Sequence, residues 1–167
     1  VTVKNAKEVF EECKNSKANF WGFKEVGIPL DEMKELYSYM KQCGKTTFLE
    51  VVAYTEEECM EGAKMGVACG VDYLLGTLYF DSLNDYCKEN GMKYLPFVGD
   101  AVELNRRFVA ETPAPVVLAG SVNSYQRLDE VKAANPWAFT IGGAFFENKF
   151  DGTFAEQIDK VVDYINK

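Results

Sequence analysis

Lys24 and Glu50 are ionisable residues set inside runs that otherwise read as β-strands, Phe20-Trp21-Gly22-Phe23-Lys24-Glu25-Val26-Gly27 and Thr46-Thr47-Phe48-Leu49-Glu50-Val51-Val52. A carboxylate in such a run is costly to bury unless it is paired or points into a polar mouth. If the two strands are parallel neighbours, the lysine and the carboxylate come within ion-pair distance. A desolvated lysine with a carboxylate partner suits proton transfer next to a carbonyl, or Schiff-base chemistry. The plainer reading is a buried salt bridge. Glu25 is a further candidate, although strand alternation sends it to the opposite face. Asp100, which begins the loop after a strand, is another. Asp72 lies near the start of its strand and reads as structural, and Arg106 and Arg107 read as a solvated helix face.

A second group could bind rather than react. Val117-Leu118-Ala119-Gly120-Ser121-Val122 runs from an apolar strand into a small-residue turn, and about twenty residues later Phe139-Thr140-Ile141-Gly142-Gly143-Ala144-Phe145 repeats the design. Glycine has no side chain to hold a ligand off the backbone, so exposed N–H groups can face an anion. A helix start close behind adds partial positive charge. Gly120, Ser121, Gly142 and Gly143 are therefore candidate phosphate-binding residues. The alternative is that they merely allow tight turns.

The rest of the composition works by exclusion. The chain has no histidine, which removes a Ser-His-Asp triad and the usual imidazole-rich zinc site. Its five cysteines include no CxxC pair, and with no histidine to activate a thiol they read as half-buried filler. No cofactor is expected, and the only metal the residue types would suit is an oxygen-bound magnesium. A net charge of −8 argues against a nucleic-acid surface, though a small anion can still find a local site. No run is long and apolar enough for a membrane span. The amphipathic start VTVKNAKEVF has no basic-then-apolar leader, so a cytoplasmic protein is expected.

These candidates need elements to position them, and the sequence alternates throughout. Helix-period stretches are expected over Ala6–Ser16, from Pro29 to the stop at Gly44, from the T-x-x-E pattern Thr55–Glu58 to Gly70, and over Ser82–Asn90, Ala101–Ala110, Ser124–Ala134 and Thr153–Ile165. Strands are expected at Phe20–Gly27, Thr46–Val52, Val71–Leu78, Lys93–Gly99, Val116–Ser121 and Trp137–Gly142. Strict alternation with near-continuous apolar strands implies an α/β fold, a parallel sheet covered by helices. An open Rossmann sheet would carry an early G-x-G-x-x-G, which is absent. A (β/α) TIM-type barrel is favoured, because phosphate-binding barrels place their anion site in the turns after the last two strands.

Val1-Thr2-Val3, Gly22 to Pro29, Leu49 to Val52, Asp72 to Gly76 and the two glycine turns resemble a bacterial family of phosphate-binding TIM-barrel proteins, some described as 4-hydroxythreonine-4-phosphate dehydrogenases. The turns are also similar to those of ribulose-phosphate-binding barrels such as N-acylmannosamine-6-phosphate 2-epimerase. The resemblance implies one barrel domain over residues 1–167. It also implies that about six of eight strands are visible, the first strand and a helix–strand segment near residues 99–100 being missing. Where the family tends to show another glycine, a threonine and a histidine after Gly76, this chain has Thr77-Leu78-Tyr79. A dehydrogenase role finds no dinucleotide fingerprint here.

The expected function is an enzyme acting on a small phosphorylated sugar or carbonyl compound, of isomerase, epimerase or aldolase-like lyase type. Lys24 and Glu50 would move protons while the glycine turns hold phosphate. The alternatives are a non-catalytic sugar-phosphate binder and a shortened barrel scaffold without native activity. An incomplete barrel would leave two sheet edges open, which a homo-oligomer would cover.

Overall fold

A computed structural model describes residues 1–97, 109–111, 113 and 115–167. Contacts divide the chain into two compact units, one of residues 1–14 and 19–97, the other of residues 15–18 and 98–167. The expected strand Lys93–Gly99 and helix Ala101–Ala110 run partly outside the described residues, and Asp100, Arg106 and Arg107 lie wholly outside them.

The first unit reads α1 (Ala6–Cys13), β1 (Phe20–Lys24), α2 (Leu30–Gln42), β2 (Thr46–Glu50), α3 (Glu56–Cys69), β3 (Tyr73–Leu75), α4 (Asp81–Glu89) and β4 (Lys93–Leu95). The four strands form one parallel sheet in the order β1-β2-β3-β4. Alternation sorts its residues onto two faces. Leu49, Val51 and Leu74 are buried in one core with Phe10 of α1, Met33, Leu36, Tyr37 and Met40 of α2, Cys59 and Ala63 of α3, and Leu83 and Cys87 of α4. Each large apolar side chain buried there contributes about 1.5–3 kcal/mol. All four helices therefore pack on one face of the sheet, and Gly22, Lys24, Phe48 and Glu50 belong to the other.

Local chemistry sets the helix limits. In α2, Met33, Leu36, Tyr37 and Met40 recur at the helical period and are buried, with Asp31 and Glu32 in the first turn and Lys41 in the last, each complementing the helix dipole. The Thr55 hydroxyl oxygen accepts from the Glu58 N–H at the start of α3, and Gly70 closes that helix with a left-handed φ of 67°. The expected capping box there is only half made, because the Thr55 hydroxyl donates to the Glu58 carboxylate at 2.8 Å. Strands are shorter than the apolar runs suggest. Beyond β1, Thr2 donates its N–H to the Val26 carbonyl at 2.7 Å and its hydroxyl to the Lys24 carbonyl at 2.9 Å. The stretch after Lys24 thus lies against Thr2 through the Val26 carbonyl, while the Glu25 N–H still donates to the Glu50 carbonyl of β2.

The second unit contains β5 (Val117–Leu118), α5 (Tyr125–Ala134), β6 (Ala138–Phe139), α6 (Gly143–Phe146) and α7 (Phe154–Ile165). Its two strands pair in parallel, Val117 with Ala138 and Leu118 with Phe139. Leu128 and Val131 of α5, Ala144 of α6, Val161 of α7 and Phe150 share a second core. A full capping box opens α7, with reciprocal bonds between Thr153 and Glu156. Six strands are present among the described residues, in the expected order. The sheets among the described residues are one of four strands and one of two, and no closed barrel is found among them.

Candidate functional site

At the carboxyl end of the first sheet, β1 and β2 bring Lys24 and Glu50 opposite one another in register. Lys24 Nζ lies 3.9 Å from Glu50 Oε1. The parallel-neighbour expectation for this pair therefore holds. Its desolvation does not: the side chains are 39% and 31% exposed, which makes the pair a solvated one instead of a buried bridge. Such pairs contribute about 0–1 kcal/mol, so this one adds little to the fold.

Glu25 is the first residue beyond β1. Its Oε1 accepts from the Val52 N–H at 3.2 Å and its own N–H donates to the Glu50 carbonyl at 3.2 Å, tying the end of β1 to the end of β2. Its second carboxylate oxygen is buried without a hydrogen-bond partner among the described residues.

Asp72 is held at the opposite end of the sheet. Its carboxylate accepts from the Thr47 N–H at 2.7 Å, the Thr47 hydroxyl at 2.8 Å and Lys41 Nζ at 2.9 Å. Burial pushes this carboxyl up, but the Thr47 and Lys41 bonds outweigh it and hold it below the usual aspartate range. Asp72 thus pins α2 and β2 to the start of β3, as a structural residue would. A depression of about 440 Å³ beside it is lined by Lys41, Lys45 and Lys93. Lys41 there neutralises Asp72, and Lys93 donates to the Tyr73 hydroxyl at 3.0 Å. Thr77, next after Gly76, is fully buried with its hydroxyl 2.8 Å from that of Tyr94.

In the second unit, the parallel register of β5 and β6 makes both glycine turns leave the same end of adjacent strands, which lie about 4.8 Å apart in such sheets. The Thr140 N–H donates to the Leu118 carbonyl at 2.9 Å, the last backbone bond between the strands before the turns. Gly120, Ser121, Gly142 and Gly143 are all exposed. A Cβ added at Gly120, Gly142 or Gly143 would meet nothing within 4 Å, so the space in front of each backbone is open. Gly120 has a φ of 92° and Ser121 one of 57°. Among the described residues, Ser121 is the one non-glycine with positive φ that is neither Asn nor Asp. Those two types reach this region easily, and serine does so at a cost of order 1–2 kcal/mol.

Two features of this region escape the sequence reading. Helix α6 begins directly at Gly143, where only a turn is expected. Gln157 is 2% exposed and supports the same segment: its Nε2 donates to the Phe145 carbonyl at 3.1 Å and the Gly152 carbonyl at 3.3 Å, while its Oε1 accepts from the Phe150 N–H at 3.3 Å. A polar residue at an inward position of the amphipathic α7 was the available signal.

The thiols match their reading as filler. Cys13, Cys59, Cys69 and Cys87 are buried, and burial raises the Cys87 thiol to about 11. Among the described residues, no group of three or more Cys, Asp or Glu side chains converges as a metal centre would require. No helix among them is long and apolar enough to cross a membrane.

No protein-family model and no curated protein matches this chain. Among solved structures, the chain is similar to the glycerol uptake operon antiterminator regulatory protein from Listeria monocytogenes, with a TM-score of 0.49 and 11% identity over 84% of this chain and 89% of that one. It is also similar to a muconate cycloisomerase variant, with a TM-score of 0.32 and 13% identity over 95% of this chain and 39% of that one. Likenesses of this degree assign neither family nor activity, so the resemblance to phosphate-binding barrels rests on the motifs quoted above.

Proposed function

We propose that this chain binds a small phosphorylated sugar or carbonyl compound through the backbone of the Gly120–Ser121 and Gly142–Gly143 turns. The observation that carries this reading is the parallel pairing of β5 with β6, which sets two open, exposed glycine turns side by side. The strained φ of Ser121 supports it, because a backbone outlier of this kind is retained where the surroundings or a ligand require it. The wider fold we read as a β/α barrel, complete or partial. Four parallel strands in sequential order with all helices on one face suit a barrel better than a doubly wound sheet, whose helices cover both faces.

On this reading the protein is an enzyme of isomerase, epimerase or lyase type. Lys24 and Glu50 of the first unit are its candidate proton-moving pair: a carboxylate can take a proton from a carbon next to a carbonyl, and an ammonium can donate a hydrogen bond to an oxygen on which negative charge develops. A pair that adds little to stability yet interrupts two apolar strands is better explained by such work than by the fold. The second reading is a binder without turnover, which the solvated state of the pair would equally suit.

A thermal-shift series with inorganic phosphate, ribose 5-phosphate, glucose 6-phosphate and unphosphorylated ribose separates these. Phosphorylated compounds should stabilise the protein, by about 2.7 kcal/mol at a hundred times Kd, and ribose should not. Gly143→Val should abolish the effect. Stabilisation without turnover, unchanged by Lys24→Met, would favour the binder. No stabilisation by any phosphorylated compound would sink both readings.

A further inference from the structure

We propose that Gly76 is a positioning residue for Glu50, its missing side chain and left-handed backbone keeping that carboxylate within reach of Lys24. Gly76 follows β3 directly, and Leu75, the last residue of that strand, is the register partner of Glu50. Its φ is 92°, a conformation L side chains rarely adopt. A Cβ built there would lie 2.8 Å from the Val51 carbonyl oxygen and 3.3 Å from Glu50 Cγ. The first contact is with backbone, which cannot yield by turning a side chain. Val51 is moreover fixed by its own N–H, which donates to the Leu75 carbonyl at 2.9 Å. The second contact is with the stem that carries the carboxylate. Added bulk at position 76 would therefore press on the backbone of Val51, the residue after Glu50, and on the Glu50 side chain itself. The Lys24–Glu50 separation is 3.9 Å, and a displacement that carries the carboxylate away from Nζ weakens the pair.

Gly70 makes a matched control. Its φ is also positive, at 67°, but a Cβ there meets nothing within 4 Å. Gly70→Ala thus carries backbone strain without the contact to Glu50. That the pair transfers protons belongs to the function proposed above; the placement of Glu50 by Gly76 can be tested with no substrate at all.

The experiment is acetylation of Lys24 by an N-hydroxysuccinimide ester, followed by mass spectrometry on folded protein, with urea unfolding measured alongside. In Glu50→Gln the loss of the carboxylate should raise the Lys24 rate about twofold. Gly76→Ala should raise it in the same direction, by less than Glu50→Gln does, and Gly70→Ala should leave it unchanged. In the unfolding series, the loss caused by Gly76→Ala should be partly recovered when Glu50→Ala removes the stem, whereas Gly70→Ala and Glu50→Ala should be additive. If Gly76→Ala does not fold, Gly76→Asn carries the same test, since asparagine tolerates positive φ best among residues with a Cβ. A folded position-76 variant with an unchanged Lys24 rate would overturn the proposal. A failed sugar-phosphate screen with the expected acetylation pattern would instead defeat the proposed function and leave the role of Gly76 standing.

Discussion

Gln157 reaches from the buried side of α7 to the carbonyl of Phe145 at the end of α6, 3.1 Å away. With its bonds to Phe150 and Gly152, it fixes the segment that leaves the Gly142–Gly143 turn. Gln157→Leu would keep most of the volume and take this partner from the Phe150 N–H and the Gly152 carbonyl, while the Phe145 carbonyl keeps its bond from the Asn148 N–H. The variant should lose about 1–3 kcal/mol in urea unfolding, with faster hydrogen exchange at the Phe150 amide. An unchanged midpoint would mean that water replaces the amide at little cost.

Ser121 offers a test in which stability and binding move in opposite directions. Ser121→Gly relieves the left-handed strain and should raise unfolding stability by up to about 1 kcal/mol, with some of the gain offset by the freer unfolded chain. It also removes a hydroxyl from the expected phosphate site, so ribose 5-phosphate should bind more weakly. A variant that is more stable and binds as well as the parent would show that the strain serves no ligand.

Six strands were legible because alternation of apolar runs with helix-period stretches is a long-range pattern that no single residue can spoil. Strand ends were not, since beyond Lys24 the Val52 N–H turns to the Glu25 carboxylate and the Val26 carbonyl turns to Thr2, remote in sequence. The Lys24–Glu50 juxtaposition followed from parallel register alone. Its solvation did not, because exposure depends on what stands around both groups. Helix α6 was missed because four residues opening on a glycine pair carry no measurable period. The capping box was expected at Thr55 and formed fully at Thr153, where Glu156 reaches back to the Thr153 N–H at 2.8 Å; the same T-x-x-E spacing permits either geometry.

Asp72 should govern part of the acid limb of stability. Its carboxyl is held below the usual range in the folded state, so its contribution is present above about pH 4, the unfolded value, and is lost as pH falls through the folded value. Asp72→Ala should cost about 1 kcal/mol at neutral pH, the screened worth of a half-exposed hydrogen-bonded carboxylate. Its unfolding midpoint should converge with that of the parent in strong acid. A constant difference at every pH would assign the loss to packing.

Tyr94 should act at the other extreme. Burial raises its phenol to about 12, and its hydroxyl donates to the Leu78 carbonyl at 2.5 Å. Below about pH 10, neither the folded nor the unfolded phenol is ionised. Between there and about 12 only the unfolded chain loses the proton, so stability falls as pH rises. Tyr94→Phe should lose about 1 kcal/mol at neutral pH and show a shallower alkaline decline. An identical decline would place the effect on Tyr37, whose phenol burial also raises.

The buried cysteines give the first unit an internal record of its own breathing. Cys13 lies on α1, Cys59 and Cys69 at the two ends of α3, and Cys87 on α4, all shielded, while Cys43 just past α2 is half-exposed. An alkylating reagent can reach the shielded sulfurs only when their own helix lifts from the sheet. The order in which they are consumed would therefore rank the helices by the free energy of their detachment, with Cys43 marking the start of the clock.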